Sequence, residues 1–545
     1  MDRGKRRAMR HGYVGFRRLR TREACDGERR VPLRHFRVEI RAATVRGGVC
    51  VESGRGGCRA GDLRRAIFAR RSASIVRRED AWRRASPRRR ASTRRAHPRH
   101  LADLCPKPPM RVGPVSPSAP RFLSPSPGAG IENLRDAGMT QLAQARMPTR
   151  RIEEFRFTDL APLVTATPVA ADAAAAADVD VSSWTLAAAD TSRVVLIDGV
   201  YRADASDISG VDGVEVGMVS AGAAVPPALG AQTAARGGVL AGINAAIASD
   251  AVVINVPAGV KCLAPIHILQ LSTTSTDGMA TSAPRVVVTV GEGAEVSVVE
   301  EFACAGAGDA DASYWCNGVC EMVLEKEAKV THTMVQAQSR ESVHTRATYL
   351  TQAEASTYAL AEINVGGKLG RHDLGIVQLG PRTTTELSCF NLAGKGQCLD
   401  LHSSVRLDHE EGKTDQVHKC IVSSESGKGV FDGNVQVNKL AQRTDAGQIS
   451  RNLLLVPKAT VNVKPNLQIV ADDVVCTHGC TVSDLAEEEL FYIQSRGLSP
   501  AVARSLLVAG FGLEIVSKVS AKDLRERIAG LVRASLDKDN AVVLV

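Results

Sequence analysis

VFDGNVQVNKLAQRTDAGQISRNLLLVPKATVNVKPNLQIVADDVVCTHGCTV, residues 430–482, decides the fold. Runs at Val435–Val437, Leu453–Val456 and Leu467–Val475 tend to alternate apolar and polar residues and are broken by Gly, Asp or Asn. Successive side chains of a strand point to opposite faces, so a period of two marks half-buried strands. Working upstream, the same texture runs through Val194–Ile197, Val252–Val256, Ile266–Leu271, Val286–Val290, Val296–Val299, Val330–Val335 and Val417–Val422. Helical periods are nearly absent between residues 250 and 480. Aromatics make up only 4% of the chain, too few for the usual core of a β-sandwich. Small Val, Ala and Ile interiors on many short strands fit a stacked solenoid such as a β-helix, although no exact internal repeat is visible.

Downstream of this stretch the period switches. Ser483 is positioned to cap a helix running to Gln494 and ended by Gly497. Ser499–Pro500 reads as the N-cap and first position of a second helix. Val502, Leu506, Ala509, Leu513 and Val516 form its expected apolar stripe, and Leu524, Ile528 and Leu531 that of a third. Upstream of the strands, Ile131–Arg146 reads as a short helix, and an Ala-rich stretch from Thr165 to Asp190 as a surface connection. The chain therefore divides into a basic leader (1–130), a mixed helical region with the Ala-rich linker (131–245), a β-helix core (246–482) and a C-terminal helical domain (483–545).

The net charge of +10 averages two unlike parts. Residues 1–150 hold 37 Lys and Arg against 12 Asp and Glu, leaving 32 against 47 in the remainder. A basic leader on an acidic body argues against a nucleic-acid partner, which would need its basic residues on the folded part. The Arg-rich, acid-poor leader has the composition of an organelle transit peptide, and its opening lacks the apolar core of a secretory signal. Residues 106–128 carry eight prolines and read as a spacer, while Met139 and Met147 are alternative starts. No apolar run is long enough to span a membrane, so no membrane partner is expected. Thirteen Cys, an odd number without a secretory signal, point to reduced thiols.

Several motifs fail on inspection. Gly412-Lys413-Thr414 lacks the upstream Gly of a phosphate-binding loop, because position 407 is Leu. Gly427-x-Gly429 has no third glycine at dinucleotide spacing, there is no G-x-S-x-G elbow, and Cys316 and Cys320 stand four apart rather than at zinc-pair spacing. His267, His332, His344, His372, His402, His409 and His418 have no comparable neighbours and read as structural or exposed.

The segment ADDVVCTHGC (471–480) survives. Cys476, His478 and Cys480 fall at i, i+2 and i+4, on one side of an extended strand. Thiols and an imidazole on one face suit iron, zinc or sulfur chemistry. Asp472 and Asp473 would tune the local charge or shape a turn. Inert thiols beside a hydrogen-bonded His at a buried strand end is the competing reading, and spacing alone leaves both open.

Residues 430–455, 464–482 and ELFYIQSRGLSPAVARSLL (489–507) resemble the SufD branch of the SufB/SufD family, the scaffold of SUF iron–sulfur cluster assembly. PTRRIEEFRFTDLAPL (148–163) is similar to the family's N-terminal signature, and VINVPAGVKCLAPIHIL (253–269) to the start of its β region. The resemblance implies a right-handed parallel β-helix flanked by helices, and a non-ATPase scaffold subunit that pairs with a SufB-like paralogue. It also implies a SufC-like ATPase docking near 483–545, which would place the phosphate-binding loop in that partner. The family's C-S-H-G-A-T motif at the SufB–SufD interface aligns on CTHGCT, making His478 the cluster-assembly and metal residue and Cys476 its companion. Cys480 replaces a small residue, as a further ligand or as a packing change. Phe155 stands where the family usually carries Trp. The H-G-x-T pattern favours SufD over the H-E-A-T type of the paralogue SufB.

A transient iron–sulfur cluster shared with the partner is the expected cargo. Flavin on the assembled complex is a further expectation that no residue here assigns. The plastid stroma is the implied address, with the mitochondrion, whose leaders share this composition, as the alternative. Rival readings are a β-helix carbohydrate-active enzyme, which would need paired carboxylates and aromatic platforms, and a purely structural partner with Cys476 and His478 in its core.

Overall fold

In the computed structural model the described residues are 131–538, apart from 144, 172–175, 178 and 306–311. The expected transit segment, residues 1–130, lies outside them. From Val252 to Ser483 the chain alternates between two sheets, and each solenoid strand hydrogen-bonds in parallel to its equivalent one turn away. Eight successive turns stack in this way, the parallel β-solenoid expected from the period-two runs. The first turn is covered: Arg193–Ile197 pairs with Lys261–Ser272, and Glu215–Met218 runs antiparallel to Val252–Val256. The last turn, Thr460–Ile469 and Val475–Ser483, is paired on one side only among the described residues.

The repeat missing from the sequence is present in the backbone. Gly293, Glu327, Ala355, Arg382, Glu411 and Arg443 all adopt positive φ, between 56° and 66°, at one corner of successive turns. Each donates its N–H to a carbonyl of the next corner, for example Glu327 to Glu354 and Arg382 to Glu410. The residue that follows is small (Ala294, Ala328, Ser356, Thr383, Gly412 and Thr444), which lets the corners stack closely. A left-handed corner costs an L-residue about 1–2 kcal/mol. The inter-turn hydrogen bonds hold it regardless of side-chain identity, so the repeat leaves little trace in residue type.

One half of the lumen is apolar, from Val252, Ile254 and Ile266 through Val298 and Leu374 to Val435. The other half carries buried polar side chains. Glu300 accepts from Gln270 at 3.1 Å, hydrogen-bonds His332 at 3.0 Å and pairs with Arg346. Further along, Glu362 contacts His372 at 2.9 Å and accepts from Asn364 at 2.7 Å. The seam continues through Asn391 and His418 to Ser450. Cys316 and Cys320 are buried core thiols, and no disulfide joins any of the nine cysteines among the described residues.

The helices confirm some local expectations and correct others. Glu132–Leu142 is the predicted N-terminal helix. Ser499 caps Pro500–Val516 by accepting from Val502 N, and Gly497 ends the preceding helix at φ 91°. Ser483, however, is the last residue of a strand, and that preceding helix spans Glu487–Gln494 without a side-chain cap. The apolar stripe of Pro500–Val516 is rotated from the expected one. Ala503, Val508, Gly512, Ile515 and Val516 are buried, whereas Leu506 and Leu513 are exposed. The buried face is selected by the outer side of the sheet that contains Thr384–Ala393, Lys413–Val422 and Asp445–Leu454, where Phe390, Ile421 and Leu453 receive it together with Leu524 and Ile528. Gly512 permits the close approach, since a Cβ there would meet Phe390 Cζ at 2.8 Å. The Ala-rich stretch is not wholly a surface connection, because Leu186 and Ala189 are buried in the same cluster. Among the described residues no helix is long and apolar enough to cross a membrane.

Candidate functional site

The strand Val475–Ser483 forms because alternating small and β-branched residues complete a register already dictated by Asp445–Leu454. Cys476, His478 and Cys480 pair with Ala446, Gln448 and Ser450, all three of which are buried. Neighbours in a parallel register share a face, so the Cys-x-His-x-Cys side chains line the lumen side of the final turn. Because no further turn among the described residues covers them, His478 is exposed and the two thiols are half-buried. Cys476 packs against the lumen cluster together with Val463 and Leu467 of the facing strand.

Burial raises the Cys476 thiol above its ordinary value, with the Asp445 carboxylate adding to the effect, and burial raises Cys480 as well. Both are thiols at neutral pH until a metal competes with the proton. Steps of about 7 Å along a strand separate the three groups at Cα. Among the described residues no three His, Cys, Asp or Glu stand close enough to hold a metal ion. The three sequence candidates thus share a face and an open edge, but they do not form a closed coordination set within this chain. Asp472 and Asp473 are exposed in the bend before the strand. Asp473 O accepts from Arg443 N at 2.6 Å, and its own N–H donates to Gln442 at 2.9 Å, so they shape the turn.

Two features near the site escaped sequence reasoning. The polar seam of the lumen ends at Ser450 and Gln448, one strand from Cys480 and His478. It is built from His332, His372 and His418, which are buried and partnered rather than isolated. Burial takes the His418 imidazole down to about 4, so it is neutral against Ser450 and stacks on Phe431 at 4.5 Å. The second feature is a strap. Residues 150–158 cross the outer face of the sheet that contains Leu369–Gln378, Cys398–Leu407 and Thr460–Ile469, where Phe155 lies 4.0 Å from the Arg371 guanidinium. Arg371 also donates to Glu154 O at 3.0 Å and to Asp400 at 2.8 Å, and Thr158 donates to Asp400. Lys464 of the terminal strand reaches Glu153 and Asp432, both at 3.0 Å, so the strap ties down the last turn. Its aromatic and acidic residues were visible in the sequence, but the groups they meet lie more than 200 residues away.

Gly412-Lys413-Thr414 passes from a turn directly into a strand, with no helix to receive a phosphate. The most exposed aromatic side chains among the described residues, Phe491 and Tyr492, sit on a helix rather than along a sheet face.

Comparison with known proteins agrees with this architecture. The family model of the SUF system FeS cluster assembly SufBD core domain matches residues 272–511. The chain is 39% identical over 426 residues to Protein ABCI7, chloroplastic, of Arabidopsis thaliana, covering 76% of this chain and 88% of that protein. It is 35% identical to an iron-sulfur cluster assembly SufBD family protein of Synechocystis, covering 73% and 89%. It is 27% identical to the iron-sulfur cluster assembly protein SufD of Escherichia coli, covering 72% and 89%.

Proposed function

The chain belongs to the SufBD family of iron–sulfur cluster assembly proteins, and from that premise we propose that it is a SufD-type scaffold subunit whose final turn is completed by a SufB-type paralogue. The observation that carries this reading is the open end of the solenoid. Two strands whose outer edges are unpaired among the described residues, bordered by exposed Ile469, Val470, Val475 and Val482, invite β-augmentation by another chain. The same end presents soft ligands too far apart to bind metal alone.

In this reading iron and sulfide are cargo. His478 as neutral imidazole and Cys476 as thiolate hold nascent iron, the second chain supplies the missing ligands, and Cys480 is an additional thiol within reach. A SufC-type ATPase docks on the C-terminal helices, where Phe491, Tyr492, Leu506 and Leu513 leave apolar surface exposed. ATP hydrolysis then belongs to that partner, and this chain is a scaffold rather than an enzyme. The Arg-rich leader and the chloroplastic relative support a plastid stromal address.

The test is co-expression with SufB-type and SufC-type subunits, size-exclusion chromatography and anaerobic reconstitution followed by visible absorption. A co-eluting complex that accumulates the absorption of a cluster is expected, and His478→Ala should lose most of it while still co-eluting. A chain that elutes alone, or a variant that assembles clusters normally, would sink the assignment. For the address, residues 1–130 fused to a fluorescent protein should label plastids; mitochondrial labelling would refute it.

A further inference from the structure

A cavity of about 10 Å³ lies within the solenoid, lined by Met334, His344, Asn364, Gly370, His372 and Leu399 among others. That volume admits one water molecule and nothing larger. His344 is 2% exposed, and neither Nδ1 nor Nε2 has a hydrogen-bond partner. Phe302 packs against the ring with centroids 4.6 Å apart, an edge contact that satisfies neither nitrogen. A neutral imidazole carries one donor and one acceptor, and buried polar groups in folded proteins are almost always paired. The other polar walls are already committed: Arg371 to Glu154 O, Asp373 and Asp400, and Asp400 to Arg371, Thr158 and His402. His372 uses both nitrogens, on Glu362 and Thr348, each at 2.9 Å. The Asn364 amide nitrogen donates to Glu362 at 2.7 Å and to Asn391 at 2.9 Å, which leaves its oxygen as an acceptor.

We propose that this chamber is a binding site for one internal water molecule, held by His344 and Asn364 as a fixed part of the lumen network. The surrounding charges decide against an ion. Arg346 and His372 act on His344 in one direction, and Glu362 and Glu300 in the other. Burial is the largest influence and takes the imidazole down to about 3, so the ring is neutral, and the Arg371–Asp400 ion pair on the same wall is balanced within itself and leaves no net charge for an ionic guest. Gly370 sets the room, because a Cβ there would come within 2.9 Å of Leu399. The water also has a place in the seam. The register runs Glu300, Met334, Glu362, so the Met334 thioether interrupts the column of polar side chains. A water in the chamber lies beside Met334 at this break, in contact with His344 and with the Glu362–His372–Asn364 cluster that leads toward the terminal turn.

The experiment is a crystal structure of the full chain, alone or with its partners, at a resolution that shows ordered water. It is paired with ¹⁵N-histidine NMR of the same protein. A density peak about 2.7–3.2 Å from a His344 nitrogen, and a ring N–H with an exchange cross-peak to water, are expected. In His344→Phe the peak should vanish while the solenoid is retained. An empty cavity with the ring turned onto protein groups would overturn the proposal. An anomalous signal from a soft metal between Met334 and His344 would overturn it too, and both of these outcomes are readable on the unsubstituted protein if the variant fails to fold.

Discussion

Glu300→Gln is the sharpest test of the polar lumen. The substitution preserves the shape of the side chain and removes the charge that compensates Arg346. Both side chains are fully inaccessible, and Arg346 Nε and Nη1 have no other hydrogen-bond partner. Removing one member of a buried ion pair strands the other, at a cost of about 3–5 kcal/mol. That is a large share of the roughly 5–15 kcal/mol of a folded domain. Burial alone would raise the Glu300 carboxyl, but Arg346, His332 and His372 outweigh it and hold it below the ordinary value. A depressed carboxyl contributes stability above its unfolded pKa, about 4.3, and loses it as pH falls through the folded value. Urea unfolding followed by circular dichroism should therefore show the full deficit at pH 7 and a narrowing gap below pH 4. Glu300→Gln combined with Arg346→Met should be less destabilised than the two single changes added, because no lone guanidinium remains. A single variant within about 0.5 kcal/mol of the parent, or a gap that ignores pH, would refute the reasoning.

Gly512→Val should cost about 1–3 kcal/mol, since its Cβ begins 2.8 Å from Phe390 and the helix must lift from the sheet. Hydrogen exchange should show lost protection confined to residues 500–538; loss spread through the solenoid would contradict a local docking contact. Ser499→Ala removes the cap on Val502 N and should destabilise that helix by about 1 kcal/mol, read as faster exchange in its first turn. Arg382→Gly relieves a left-handed corner at φ 59° and should raise stability by about 0.5 kcal/mol, after subtracting the ion pair with Glu354 and the entropy of glycine. A fall in the thermal midpoint would mean that this ion pair outweighs the backbone strain.

Much of the fold was legible because it is local. Period-two Val and Thr runs report a strand whatever they pair with, and Ser499–Pro500 and Gly497 punctuate helices through backbone geometry within a few residues. The same periodicity placed Cys476, His478 and Cys480 on one side of a strand. It could not say which side, or that the strand was the last of its sheet. The stripe of Pro500–Val516 was misread for a related reason. Val502, Leu506 and Leu513 are as apolar as the residues that are buried, and the sheet chose among faces that hydrophobicity alone could not rank.

The polar lumen was not legible. Glu300, Arg346, Glu362, His372 and His418 lie on five strands, and only the inter-strand register makes them neighbours. Read one strand at a time, an inward Glu and an outward Glu look alike, and the His residues stood without visible partners. The corner repeat was hidden for the opposite reason: backbone hydrogen bonds enforce it on Gly, Ala, Arg and Glu alike. Sequence by itself thus determined the class of fold, the helical end and the chemistry available on the final strand, because each depends on spacing along the chain. Tertiary structure alone decided which charges are buried together, which helix face is covered and that the Cys-x-His-x-Cys strand is the last of its sheet among the described residues, because burial and pairing depend on what arrives from elsewhere in the chain.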